Sequence, residues 1–164
     1  MKANEDKTNV MRILDQKKIP YIPHGYEHEE GAAVDAETVA SLLGRRPEEI
    51  FKTLVTRGGK GGYYVFVIPG NGHLDLKKAA KAAGEKSIEM IKSAELLPLT
   101  GYIHGGCSPV GMKKLFPTFF DESALSLEKI IVSAGKIGKQ IEVEPKLLMA
   151  LIKGKTADLT VKEE

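Results

Sequence analysis

One cysteine, Cys107, stands in a chain of 164 residues, so no disulfide can form within it and a reducing, cytoplasmic setting is the natural reading. No apolar run approaches the roughly eighteen residues that span a bilayer, so no membrane role is expected. The opening MKANEDKTNVMRIL carries acids where a secretory leader needs an apolar core, which argues against export. Excess charge is also scarce: the formal net charge is +2, too little to coat duplex DNA, although a local basic patch is allowed. No GxxxxGK[ST] occurs, which excludes a Walker-type phosphate loop. Gly70-Asn71-Gly72 follows a strand pattern but lacks the third glycine of a dinucleotide fingerprint, and reads as a turn. His24 and His28 have metal-like spacing only on a helix. On the extended segment expected there they stand roughly 13 Å apart, so no metal and no cofactor are expected.

What is present suffices for one domain over residues 1–164, with 42% hydrophobic and 28% charged residues. The spacing of Val10, Ile13 and Leu14 predicts a helix over Thr8 to Lys18, and Tyr21 to Glu27 reads as extended. Asp35 caps a helix over Ala36 to Leu43 that Gly44 stops, and Pro47 opens a short helical turn. Ile50 to Thr56 and Tyr63 to Ile68 form a hairpin across a glycine-rich turn. Asp75 caps a further helix that Gly84 ends, and Ser87 to Leu97 reads as one or two short helices. Thr118 to Phe120, Lys129 to Ser133 and Gln140 to Val143 read as strands, and Pro145 starts a last helix through Ile152. The mixture of hairpins and helices predicts a single α+β domain with an antiparallel or mixed sheet.

Two stretches carry the chemistry. Phe51-Lys52-Thr53-Leu54 places a charge inside a β-type segment. Alternation puts Phe51, Thr53 and Val55 on one face and Lys52, Leu54 and Thr56 on the other. Lys52 either reaches water at a strand end or projects into a cleft as an anion anchor. The second stretch, GYIHGGCSPVGMKK from Gly101, is a loop whose glycines let bare N–H groups approach a ligand. Cys107 lies in that loop with His104 nearby, but no third group orients a thiol–imidazole pair, and packing is the preferred reading of the cysteine. Lys77, Lys78, Lys81, Lys113 and Lys114 would suit phosphates if they converged near Lys52; separately, they are a solvated surface.

Four ordered segments, IFKTL, HLDLKKAAKA, TGYIHGGCSPVGMKKLFPT and IVSAGKIGKQIEV, resemble the YbaK/EbsC-type Cys-tRNA(Pro) deacylases. These are relatives of the editing domain inserted in many bacterial prolyl-tRNA synthetases. The likeness runs from about Tyr26 to Asp158. It implies a compact α/β fold with a mixed, barrel-like sheet, surrounding helices and a cleft for the 3′ end of aminoacyl-tRNA. It places Lys52 at the family's essential lysine, with Thr53 beside it, and suggests that Tyr26, Gly105 and Ser133 line the substrate site. Gln140 stands where the best-known members carry an acid, which bears on recognition of the amino group.

An aminoacyl ester is already activated, and cysteine brings its own thiol, so the resemblance accounts for the missing nucleophile. Near-isosteres differ by only about 1–3 kcal/mol in a pocket, which is why synthetases need a second, chemical sieve. The expected function is trans-editing hydrolysis of mischarged Cys-tRNA(Pro), in which the cysteinyl sulfur attacks its own carbonyl. The protein positions the thiol and stabilises the oxyanion. Amides at Gly105 and Gly106 are expected to form the oxyanion hole. Lys52 is expected to hold the ester or phosphate, and Tyr26 or Phe51 to stack on the terminal adenine. Prolyl-tRNA synthetase is the expected protein partner. The alternatives are an Ala-tRNA(Pro) deacylase that activates water, and a non-catalytic module that binds aminoacyl-tRNA or a nucleotide.

Overall fold

Thr8 accepts the Met11 amide through its hydroxyl and so starts α1 (Asn9–Gln16), whose Val10, Met11 and Leu14 share a buried side. The computed structural model describes residues 7–27 and 34–162. After α1 the chain enters β1 (Tyr21–Gly25). Asp35 accepts the Thr38 amide at 2.7 Å to cap α2 (Ala36–Leu43), which ends at Gly44 as its sequence predicts. A 3-10 turn over Pro47–Glu49 leads into β2 (Phe51–Gly58), which folds back as β3 (Tyr63–Pro69). Asp75 and Gly84 bound α3 (Leu76–Ala83).

The stretch from Ser87 to Leu97 is only partly helical. It begins as β4 (Ile88–Met90), antiparallel to β2, before α4 (Ser93–Thr100) forms. Three residues are too few to display alternation, so only pairing reveals the strand. There follow β5 (Thr118–Asp121), a 3-10 turn, β6 (Ile130–Lys136), β7 (Lys139–Val143), α5 (Pro145–Ile152) and β8 (Lys155–Ala157). The last strand, Lys155-Thr156-Ala157, carries no apolar signature and is recruited by parallel pairing to β5.

The strands form two sheets, ordered β4-β2-β3-β5-β8 and β1-β7-β6. The first mixes antiparallel β4, β2 and β3 with parallel β5 and β8, while the second is antiparallel throughout. The mixed α/β expectation holds. The barrel-like curve is made by two open sheets that meet, among the described residues, at a parallel bridge between Ile50 and Ile131. The main core lies between them. Phe51, Val67 and Phe120 from one sheet face Ile130, Val132 and Ile141 from the other, with Leu14 and Leu148 closing the ends. Each such side chain contributes about 1.5–3 kcal/mol when fully buried. The outer face of the five-stranded sheet packs Phe66 and Ile68 under Ala79 and Ala80 of α3. Val39 and Ala40 of α2 cover the seam at Ile50 and Ile131. That seam positions the site. Among the described residues no helix is long and apolar enough to cross a membrane.

Candidate functional site

β4 pairs only with Thr56–Gly58, so the first half of β2 has a strand partner on the β3 side alone. A cleft of about 470 Å³ opens beside that uncovered edge. The start of α2, the glycine loop and the floor of the three-stranded sheet complete its walls. Tyr26, Phe51, Lys52, Thr53, Gly105, Ser133 and Gln140, all singled out by the sequence, line it together.

Lys52 pairs with Ile68 in the hairpin, and its ammonium donates to the Gly70 carbonyl at 3.2 Å. No carboxylate lies within ion-pair distance among the described residues. Burial pushes its pKa below the ordinary lysine value, and the charge of Glu37 offsets only part of this. Next to it, the Thr53 hydroxyl is buried with no hydrogen-bond partner. Gln140 is only 5% exposed, yet its side-chain amide makes no hydrogen bond among the described residues. A buried polar group left unpaired costs about 1–3 kcal/mol, so the Thr53 hydroxyl marks the wall that a ligand would satisfy.

Gln140 sits in the middle of a row across the floor, paired with Ser133 on β6 and His24 on β1. The Ser133 oxygen accepts the Gly135 amide at 3.1 Å, which leaves its proton for donation. Two residues further along β7, Glu142 accepts from Arg45 Nη2 at 2.6 Å and contacts His24 Nε2 at 2.8 Å. Burial opposes ionisation of Glu142, but the bonds from Arg45 and His24 outweigh it and hold the carboxyl below its usual range. Arg45 also reaches Glu49 at 3.4 Å. This cluster ties the end of α2 to the floor and fixes the row above it.

The glycine loop behaves differently at its two glycines. Gly105 lines the cleft with a φ of 89°, a left-handed conformation that favours glycine, and its amide has no backbone partner among the described residues. Gly106 is turned away: its N–H donates to the Ile103 carbonyl at 3.0 Å. A Cβ there would lie 3.1 Å from the Ile137 nitrogen, so Gly106 serves close packing of the loop on the β6–β7 turn. Of the two amides expected to serve as oxyanion donors, that of Gly106 is thus already engaged in a local turn.

Cys107 and His104 also line the cleft. No hydrogen bond joins them among the described residues. Cys107 packs against the main core, and burial pushes its thiol up to about 12, which keeps it protonated and inert near neutrality. The lysines do not converge. Lys78 bonds Asp158 at 3.0 Å and the Thr160 carbonyl at 2.8 Å, beside the C-terminal strand. Lys113 turns to the Pro98 carbonyl, and none of the five lines the cleft. His24 is engaged with Glu142, while His28 lies outside the described residues. The residue reading missed Leu96 of α4 and Val39 of α2, apolar wall residues that carry no local signal of a site. The assembled cleft offers a cation, hydroxyls, an amide side chain and a backbone N–H to an ester or anionic group.

Comparison with known proteins places the same features in context. Residues 30–151 match the model of the aminoacyl-tRNA editing domain. An Enterococcus faecalis (strain ATCC 700802 / V583) protein named "Putative Cys-tRNA(Pro)/Cys-tRNA(Cys) deacylase EbsC" is 51% identical over 162 residues, spanning 99% of this chain and 98% of that protein. A proline–tRNA ligase of Shouchella clausii (strain KSM-K16) is 31% identical over 126 residues, covering 73% of this chain and 22% of the ligase. Among solved structures, one described as "a putative trans-editing enzyme for prolyl tRNA synthetase" superposes with a TM-score of 0.78 at 28% identity, covering 93% of this chain and 95% of the other. A hypothetical protein of known structure gives a TM-score of 0.84 at 25% identity, covering 94% of this chain and all of the other.

Proposed function

The chain belongs to the aminoacyl-tRNA editing domain family, and from that membership we propose that it is a trans-editing deacylase that clears cysteine from mischarged Cys-tRNA(Pro). The observation that carries this reading is the half-buried Lys52 ammonium, held without a carboxylate in a cleft where the neighbouring Thr53 hydroxyl is buried and lacks a partner. A cation in such surroundings favours a ligand that brings or develops negative charge. Lys52 holds the ester or the terminal phosphate, and the Gly105 amide faces the oxygen that becomes negative as the carbonyl is attacked. The attacking atom is the substrate's own sulfur. A C–S bond forms, the ester C–O bond breaks, and the thiol proton passes to the departing ribose oxygen. Water then opens the cyclic thioester. The protonated Cys107 supports this division of labour, because a desolvated thiol without a base makes a poor enzyme nucleophile.

Gln140 and Ser133 line the floor and would meet the amino group and acyl chain, and Tyr26 takes the terminal adenine, because the Phe51 ring is 2% exposed and committed to the core. Aminoacyl-tRNA is the proposed partner, presented with prolyl-tRNA synthetase. The test is hydrolysis of Cys-tRNA(Pro) by the purified protein with Ala-tRNA(Pro) beside it, with and without the synthetase. Rapid loss of cysteine that disappears in Lys52→Ala and is weak on alanine is the expected result. Equal turnover of both esters would point to an activated water instead. Saturable binding without hydrolysis would reduce the protein to a binding module.

A further inference from the structure

A second concavity of about 590 Å³ lies against the cleft and shares Tyr26 with it. Its floor runs along the end of the β1–β7 pairing, where Gly25 faces Lys139. Met11 of α1 and Pro23 supply apolar surface, and Ile137-Gly138 of the β6–β7 turn closes the near side. The ridge between the two hollows is Tyr26 together with that turn, and the two are joined by a 3.0 Å bond from the Tyr26 N–H to the Gly138 carbonyl. An aromatic side chain that lines a cavity on each side is placed to meet a flat group in either.

The charges around the groove are of both signs. Lys7 bonds Asp15 at 2.6 Å, and His24 is committed to Glu142. On the ridge Lys139 lines the groove and the exposed Lys136 pairs with it across the turn, while the exposed Glu27 follows Tyr26 in the chain. An apolar floor with an aromatic divider and lysines at the crest suits a base in the hollow and a phosphate over the ridge. We infer that the groove is a subsite for the nucleotide that precedes the terminal adenosine of a single-stranded RNA 3′ end. The inference rests on the deacylase reading for the placement of that adenosine in the cleft. The RNA strand then leaves the cleft over the Tyr26 ridge, with its connecting phosphate beside Lys136 and Lys139.

Two substitutions outside the proposed catalytic machinery test it. Gly25→Leu fills the groove, and its backbone tolerates a side chain, because a Cβ there meets nothing nearer than the Gly138 oxygen at 3.5 Å. Lys139→Glu reverses the charge at the ridge. Binding of the RNA trinucleotide CCA and of adenosine monophosphate is measured for wild type and both variants, after melting curves establish that each is folded. Hydrolysis of the cysteinyl ester carried by tRNA and by adenosine alone is measured in parallel. The wild type is expected to bind CCA about tenfold more tightly than the mononucleotide, the worth of one stacked base. Both variants should lose that advantage and leave mononucleotide binding unchanged. In turnover, KM should rise for the tRNA ester only, with kcat retained. Equal affinity of the wild type for the two ligands, or variants that weaken both alike, would overturn the subsite. Groove-dependent CCA binding with no hydrolysis of either ester would leave the subsite standing and remove the deacylase reading.

Discussion

At the scale of single residues, Lys52 sets function against stability. Burial lowers its pKa, so between the folded and unfolded values the unfolded chain binds more protons, and stability rises with pH through that window. At neutral pH the charge therefore destabilises the fold. Lys52→Met is expected to raise the melting temperature at pH 7 while lowering kcat/KM for Cys-tRNA(Pro) by at least about a hundredfold, or about 2.7 kcal/mol. Calorimetry and single-turnover hydrolysis on the same preparation check both halves. Cys107 makes the opposite case. With its thiol pushed up to about 12, only about one part in ten thousand is thiolate at pH 8. Alkylation by iodoacetamide should be far slower than for a free cysteine, and Cys107→Ala should keep activity within about threefold, since truncating a small apolar group alters packing more than chemistry. A loss of a hundredfold would reinstate an enzyme nucleophile.

At the scale of elements, the cluster of Arg45, Glu142 and His24 couples α2 to the floor of the cleft. The folded pKa of Glu142 lies below its ordinary value, so its contribution is present above the unfolded carboxyl pKa and is lost as pH falls through the folded one. Urea denaturation from pH 7 downward should show wild-type stability falling across that acid range. Glu142→Gln should start lower by about 1–3 kcal/mol, the cost of leaving a buried partner unmatched, with a shallower dependence. The elements themselves were legible wherever a local signal exists. Asp35 and Gly44 bound α2 as read, and Asp75 and Gly84 bound α3, because caps act within a few residues. β4 and β8 escaped because each is three residues long and is defined by the strand beside it. Gly106 was misread for a related reason: whether a loop amide is free depends on where the preceding carbonyl turns, here that of Ile103.

At the scale of the whole molecule, the cleft is assembled from distant parts of the chain, and that governs what a sequence can reveal of it. Lys52 betrays itself as a charge in an apolar strand, whereas Leu96 and Val39 look like any other apolar helix residue until the seam brings them to the wall. The supposed lysine patch failed at this level, since α3 packs on the outer face of the five-stranded sheet, away from the seam. The pairing of β1 with β7 has a further consequence, for the order in which the molecule is made. His24 and Glu142 touch across 118 positions of sequence. During synthesis His24 of β1 therefore waits while those 118 positions are added before its partner arrives. Contacts of such long range slow folding and leave an unpaired strand edge exposed meanwhile. The floor row of His24, Gln140 and Ser133 consequently cannot close before β7 is made, and a nascent chain stalled before β7 has Lys52 but two unjoined edges in place of a floor.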